Sequence, residues 1–478
     1  MTRPAETDKQ VDRKARLQIP HHPVPKQDPR ERVHNWREVY LGYDLATARL
    51  EAERCIQCPA APCQVACPLH NDIPGALLKL EEGDVLAAAQ IFRRTSPAPD
   101  MCGRLCPQEQ LCEGHCVVGK KNVPVAIGRL EAFVADYEQE HGGRRIPPLP
   151  SPTDKRVAVV GSGPAGLAVA EHLALRGHAV HVFEAWPKPG GVLRYGIPDF
   201  KMEKRHVDQQ VQYLQDLGVQ FTCNFRVGHD ATIDQLLAQG YHAIFLGQGA
   251  GKGNRLGVPG EDLPGVYLAT DFLVRANLAP EELLPHMREP LPTGRRVVVI
   301  GGGDTAMDCV RTAVRLGADE VCCVYRRTEA EMPGRADERK NAREEGVQFI
   351  FQATPIRFVE GSNGKLEVVR FQRIELGEPD ESGRRRPVPV IGSEFEIQAD
   401  TAVVAIGYKV DKLLYQTTPG LEATDWGTVK VDECGRTSRP GIFAAGDSVR
   451  GADLVVTALA DAKRAAATID EYLRRLNP

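Results

Sequence analysis

The chain contains no apolar run of the roughly 20 residues that a membrane-spanning helix needs, so a helical membrane anchor is not expected. It has almost no surplus of charge. The 60 Lys and Arg nearly cancel the 64 Asp and Glu, leaving −4, which gives none of the electrostatic footprint of a nucleic-acid binder. The first twenty residues, MTRPAETDKQVDRKARLQIP, lack the apolar centre of a signal peptide, and the expected compartment is the cytoplasm. No short repeat recurs. At 478 residues the chain is long enough for two to four domains with cores of their own.

What the chain does have is cysteine, unevenly placed. Of 13 in total, Cys55, Cys58, Cys63 and Cys67 form one tight run ending at Pro68, and Cys102, Cys106, Cys112 and Cys116 form a second. In a reducing compartment such runs bind metal or do redox chemistry rather than form disulfides. Structural zinc is one alternative, but zinc knuckles favour two C-x2-C pairs and only Cys55–Cys58 has that spacing. Inert buried thiols are the other. The C-x2-C-x4-C-x3-C-P run is closer to iron–sulfur spacings, and eight thiolates suit two 4Fe–4S clusters. In two-cluster ferredoxins the Cys before Pro ligates the other cluster. The same interleaving groups Cys55, Cys58 and Cys63 with Cys116, and Cys67 with Cys106 and Cys112. Cys102 is the simplest fourth ligand of the second set, with Glu131 as an alternative. Cys223, Cys309, Cys322, Cys323 and Cys434 read as core filler.

Residues 1–40 read as a polar arm. LATARLEAERC before the first run and AIGRLEAFVADYEQ after the second have amphipathic helical patterns. PPLPSP at 147–152 is a Pro-rich boundary. From Arg156 the texture becomes strand, glycine turn, helix, strand. Gly161-Ser-Gly163-Pro164-Ala165-Gly166 follows the strand VAVV and opens a helix, which is the context a dinucleotide fingerprint requires. Gly161 allows the tight turn, Gly163 the approach of a pyrophosphate, and Gly166 close helix–strand packing. Glu184 ends the next strand, where a carboxylate suits a ribose diol. Gly190, Gly191, Val192 and Leu193 then offer a small-residue loop for a flat ring, and Gly446-Asp447 follows a late apolar strand. These features assign FAD to the first fingerprint.

A second fingerprint, Gly301-Gly302-Gly303-Asp304-Thr305-Ala306, follows VVVI. Its second strand ends in Arg326-Arg327 instead of an acid. A guanidinium there holds a 2′-phosphate that a carboxylate would repel, so the expected nucleotide is NADPH, with Arg335 as a possible helper. No side chain stands out as a general acid or base.

The two cysteine runs, GSGPAGL, GGGDTAMDC, YRR and GDSVRGADLVVTALADAKRAA together resemble the small (β) subunit of NADPH-dependent glutamate synthase. The chain is similar also to the iron–sulfur flavoprotein half of dihydropyrimidine dehydrogenase and to NADPH:ferredoxin-type oxidoreductases. The resemblance covers about residues 30–478. It implies an α/β protein in which an N-terminal α-helical iron–sulfur domain (1–150) precedes two Rossmann-like domains. The NADPH domain (288–407) would be inserted in the FAD domain (151–287 and 408–478). It further implies hydride transfer from NADPH to FAD and single-electron transfer through the clusters to an acceptor. That acceptor would be the large (α) glutamate synthase subunit or another acceptor protein. No N-terminal glutaminase cysteine is visible, so ammonia release and 2-oxoglutarate chemistry would belong to a second polypeptide.

Overall fold

The computed structural model describes residues 11–289, 291, 294–379 and 383–476. Residues 1–10 of the expected N-terminal arm lie outside the described residues. The chain divides into two compact units. One comprises residues up to 26, residues 40–147 and 454–460; the other comprises 27–39, 148–453 and 461 onward.

The first unit is helical. Its helices Leu45–Glu53, Ile73–Glu82 and Val85–Arg93 each begin at an aspartate whose carboxylate accepts from the first turn. Asp44 takes the Thr47 N–H at 2.8 Å, for example. Such a cap satisfies a backbone donor that the helix cannot. Two further helices, Pro99–Leu105 and Ile127–Glu140, cross closely. A Cβ on Gly103 would stand 2.6 Å from both the Ala132 nitrogen and the Gly128 oxygen, so only glycine permits this approach. Ala48, Ala52, Leu77, Leu80, Phe92, Met101 and Leu130 fill the interior.

The second unit contains two five-stranded parallel sheets that share the arrangement around the fingerprint strand and differ in the edge strand, which comes last in the chain in the first sheet and first in the second. In the first the order is Ile442–Ala444, Ala243–Leu246, Arg156–Val160, Ala179–Phe183, Gln220–Thr222. In the second it is Val266–Leu268, Thr401–Val404, Arg296–Ile300, Glu320–Tyr325, Gln348–Phe351. The central strands are mostly Val, Ile and Ala because helices or further strands cover both faces. From the fingerprint strand onward, the chain in each sheet winds to one side and then crosses to the other. That switch opens a crevice at the strand's carboxyl end, where α/β proteins bind ligands. A three-stranded antiparallel sheet, Ala353–Glu360, Leu366–Pro379 and Arg385–Gln398, adjoins the second parallel sheet.

Two boundaries differ from those read in the sequence. Val266–Leu268 already pairs with Thr401–Val404, so the second sheet begins well before residue 288. The chain passes between the sheets at Lys252–Gly253, which pairs antiparallel with Tyr408–Lys409 on the return. Residues 27–39, read as part of the N-terminal arm, belong to the unit with the parallel sheets. Both assignments depend on pairing across long sequence separations, which local pattern does not report.

Candidate functional site: two glycine loops and a buried cysteine cluster

In the first parallel sheet the loop after Arg156–Val160 is shaped by its glycines. Gly161 has φ +93°, and a Cβ there would lie 2.6 Å from the Gly247 oxygen. A Cβ on Gly166 would collide with the Gly161 carbonyl. Around Gly163, by contrast, a Cβ would meet nothing within 4 Å. The two outer glycines are therefore demanded by the protein's own packing, and the middle one faces open space of the kind a pyrophosphate fills. Pro164 starts the helix Pro164–Ala174, where its missing N–H costs nothing, and Ala165 is buried behind it. The helix N-terminus presents unpaired N–H groups to an anion.

Glu184 is almost fully buried. Burial pushes its carboxyl up from the ordinary range, against hydrogen bonds that hold it down. Oε2 accepts from the Ser162 N–H at 3.0 Å and from the Ser162 hydroxyl, and Oε1 accepts from the Trp186 N–H at 2.9 Å. Glu184 thus fixes the glycine loop as well as offering Oε1 lone-pair capacity to a ribose. Ser162 Oγ in turn accepts from the Gly190 N–H at 2.9 Å. Gly191, with φ +52°, lies so close to Gly163 that a Cβ would stand 2.6 Å from its Cα, and Leu193 is buried just after it. On the other side of the crevice, Gly446 (φ +66°) precedes Asp447, whose carboxyl burial pushes up to about 6. Ser448 Oγ accepts from the Gly249 N–H at 2.9 Å. Gln248 Nε2 is buried without a protein acceptor. An orphaned amide donor beside a glycine cradle fits a bound nucleotide such as FAD.

The second loop is built alike. Gly301 has φ +150°, and a Cβ would collide with the Ala405 carbonyl. A Cβ on Gly302 would stand 2.5 Å from the Tyr325 ring, whereas Gly303 is open, with only Pro333 Cγ at 4.0 Å. Ala306, in place of a third glycine, is fully buried in the helix Asp304–Arg315. Asp304 Oδ1 accepts from the Arg335 N–H at 3.2 Å, and the Gly334 N–H donates to the Gly302 carbonyl at 3.0 Å. The Arg335 backbone thereby lies against the fingerprint, while its buried side chain pairs with Glu338 through Nη2 at 3.2 Å. Arg326 is exposed just past the end of Glu320–Tyr325. Arg327 is buried, and its Nε donates to the Arg385 carbonyl at 2.8 Å. Of the two arginines expected at the nucleotide, Arg327 instead ties the strand end to the antiparallel sheet.

Tyr408 was not singled out from the sequence. Its half-buried phenol lies near Thr305 and Thr270, and burial raises its pKa. The sequence carried no signal for it, because Tyr408 meets Thr305 only through the fold.

In the helical unit the eight cysteines fall into two neighbourhoods. Cys55, Cys58, Cys63 and Cys116 lie near one another, as do Cys67, Cys102, Cys106 and Cys112, and the two sets adjoin where Cys112 also faces Cys63. The interleaved grouping expected from the sequence is compatible with these neighbourhoods, in which Cys102 lies near Cys67 and Cys106. Glu131 is fully buried near the second set; burial pushes its carboxyl up to about 8, and Asn71 Nδ2 donates to it at 3.1 Å. Burial likewise pushes the Cys55 and Cys63 thiols up to about 12 and Cys67 to about 11. Crowded buried thiols resist ionisation until a metal compensates their charge. Gln57 Nε2 points at the Cys55 sulfur (3.5 Å), and backbone N–H groups of Gln57, Gln64, Leu69 and Asn71 face Cys55, Cys63 and Cys67. Donors of this kind suit bound thiolates. Among the described residues no three His, Cys, Asp or Glu side chains close on a single ion. A buried pair, Arg54 Nη1 to Glu51 Oε1 at 2.6 Å, knits the two runs: Arg54 precedes Cys55 and also donates to the Pro124 carbonyl, and Glu51 accepts from the Ala126 N–H. Of the remaining cysteines, Cys309 and Cys323 are buried, Cys223 and Cys322 partly so, and Cys434 is exposed.

Residues 32–143 match the family model described as dihydropyrimidine dehydrogenase domain II, 4Fe–4S cluster, and residues 155–462 match that of pyridine nucleotide-disulphide oxidoreductases. The chain is 42% identical to the glutamate synthase (NADPH) small chain of Halomonas elongata, over 94% of this chain and 97% of that one. The chain belongs to the glutamate synthase small-chain family. It is an NADPH-dependent flavoprotein oxidoreductase whose cofactors are FAD, NADPH and 4Fe–4S clusters. Family members serve varied acceptors. The β subunit of an NADPH–Fe(3+) oxidoreductase from Geobacter sulfurreducens is 37% identical over 92% of this chain and 68% of its own length. Among solved structures, Mycobacterium tuberculosis FprA in complex with NADPH is similar with a TM-score of 0.57 and 26% identity, over 67% of this chain and 85% of that one. No described helix is long and apolar enough to cross a membrane.

Proposed function

We propose that this chain is the electron-input subunit of a glutamate synthase, accepting hydride from NADPH and delivering electrons to a large subunit that makes L-glutamate from L-glutamine and 2-oxoglutarate. The observation that carries this is the 42% identity with a glutamate synthase small chain over 94% of this chain and 97% of that one. When bound, FAD supplies the conversion between two-electron hydride chemistry and one-electron transfer to clusters. The protein's residues bind and orient. Gly161, Gly163, Pro164, Ala165, Gly166, Glu184, Gly191, Leu193, Gly446 and Asp447 hold the flavin nucleotide. Gly301, Gly303, Asp304, Thr305 and Ala306 hold the NADPH pyrophosphate, with Arg326 at the 2′-phosphate. Cys55, Cys58, Cys63 and Cys116 ligate one cluster, and Cys67, Cys102, Cys106 and Cys112 the other. Thiolate ligands of this kind are kept reduced in the cytoplasm.

The existence of an Fe(3+)-reducing relative supports a second reading, in which a different acceptor protein takes the electrons. One experiment separates them. Anaerobically purified chain is mixed with a glutamate synthase large subunit, and NADPH oxidation is followed at its absorbance band. Oxidation that requires both glutamine and 2-oxoglutarate, and yields glutamate, is the expected result. Oxidation that ignores both substrates yet proceeds with ferredoxin or chelated Fe(3+) would replace the first reading by the second.

A further inference from the structure

The helix Asp304–Arg315 opens at the NADPH loop and carries buried Asp308, Arg311 and Arg315. None of these belongs to the nucleotide fingerprint, and each meets a group from a different part of the chain. Lys201, in the loop that follows Gly190-Gly191, places Nζ 2.9 Å from Asp308 Oδ1, with both side chains less than a tenth exposed. Arg311 reaches Glu338 and Glu345, the latter through Nε at 3.0 Å and Nη2 at 2.9 Å. Arg315 Nη1 adds a third contact to Glu345 at 2.8 Å. Arg32, from segment 27–39, completes the set. It is 1% exposed, and it gives Nε to Glu345 Oε1 at 2.7 Å and Nη2 to Glu344 Oε2 at 2.9 Å. Beneath these groups lies Phe200, neighbour of Lys201. Its ring sits 4.5 Å from the Arg311 guanidinium and 4.0 Å from that of Arg315, and its carbonyl accepts from the Val39 N–H at 2.9 Å.

The network therefore joins three pieces: the flavin-side loop (Phe200, Lys201), the NADPH-side helices Asp304–Arg315 and Ala336–Glu344, and the strap 27–39. Burial pushes the Asp308 carboxyl up to about 6, and Lys201 draws it back. Burial opposes ionisation of Glu345 too, but Arg311 and Arg315 outweigh it and hold the carboxyl down to about 2. Apolar residues of the same volume would serve stability as well or better, because desolvating ion pairs is costly. What paired charges add is one permitted geometry. That matters because the two nucleotides are held by separate sheets, and hydride transfer requires reacting atoms about 3–3.5 Å apart. The backbone joint between the sheets is the small ribbon Lys252–Gly253 with Tyr408–Lys409.

We propose that Lys201 and Arg32 are positioning residues for hydride transfer: through Asp308 and Glu345 they lock the NADPH-binding helices against the flavin loop, so that reaction needs no rotation of the NADPH domain. This rests on the electron-input reading above. Its test uses the full chain, with flavin and clusters bound, carrying Lys201→Met or Arg32→Met. Three quantities are read: NADP+ affinity by calorimetry, amide exchange in 304–315 and 336–344, and anaerobic stopped-flow bleaching of the flavin by NADPH. The expected result is faster exchange in both helices, NADP+ affinity unchanged, and flavin reduction slowed roughly 10- to 100-fold at saturating NADPH. Lys201→Arg and the swapped pair Lys201→Asp with Asp308→Lys should recover most of the rate. If the Met variants do not fold, Arg32→Lys, which loses the forked contact but keeps the charge, gives the same reading. Bleaching at the parent rate in the variants overturns the proposal, as does slowing matched by an equal loss of NADP+ affinity. A parent chain that NADPH does not bleach overturns the electron-input reading itself, so the two failures are distinguishable.

Discussion

Arg326 and Arg327 are adjacent in sequence and differently placed in the fold. Arg326 is exposed just past the end of its strand, whereas Arg327 is buried and bonded to the Arg385 carbonyl. A charge-assisted hydrogen bond to a phosphate contributes about 1.5–3 kcal/mol. Arg326→Ala should therefore raise the KM for NADPH on the order of 10- to 100-fold while leaving that for NADH nearly unchanged. Arg327→Ala should lower the melting temperature and affect both nucleotides alike. Steady-state kinetics with the two nucleotides checks this, and equal effects of Arg326→Ala on both would remove the 2′-phosphate assignment.

At the level of elements, the two parallel sheets repeat one device, a glycine turn pressed between strand and helix. The glycines in it have different duties. Gly166 is required by its contact with the Gly161 carbonyl, and Gly163 by nothing in the protein. Gly166→Ala should thus destabilise the flavin-free chain, since a Cβ there forces the helix off the strand. Gly163→Val should leave the flavin-free melting temperature within about 1 °C of the parent, because surface changes away from packing cost under about 0.5 kcal/mol. It should also abolish retention of FAD on gel filtration. A loss of stability from Gly163→Val would mean that the open space serves packing rather than a ligand.

The whole molecule separates inorganic from nucleotide chemistry by unit, with all eight clustered cysteines in the helical one and both glycine loops in the other. Cys63→Ala should accordingly lower iron and acid-labile sulfide per chain while flavin content stays at the parent value. Unchanged iron would exclude Cys63 as a ligand.

Much of this was legible in the sequence, because the motifs are local. Strand, glycine turn and helix lie within some thirty residues, and each cysteine run within fifteen or so, so spacing alone announced them. The amphipathic patterns around the cysteines likewise became the helices Leu45–Glu53 and Ile127–Glu140. The fold decided what depends on distant partners. It set Cys102 beside Cys67, committed Arg327 to Arg385, brought the Tyr408 phenol to Thr305, and buried Arg32 against Glu345. In the sequence each of those side chains looks like an ordinary surface or core residue. A charge buried more than three hundred residues from its counter-ion is stable only because the tertiary structure removes both from water together, and no local pattern encodes that.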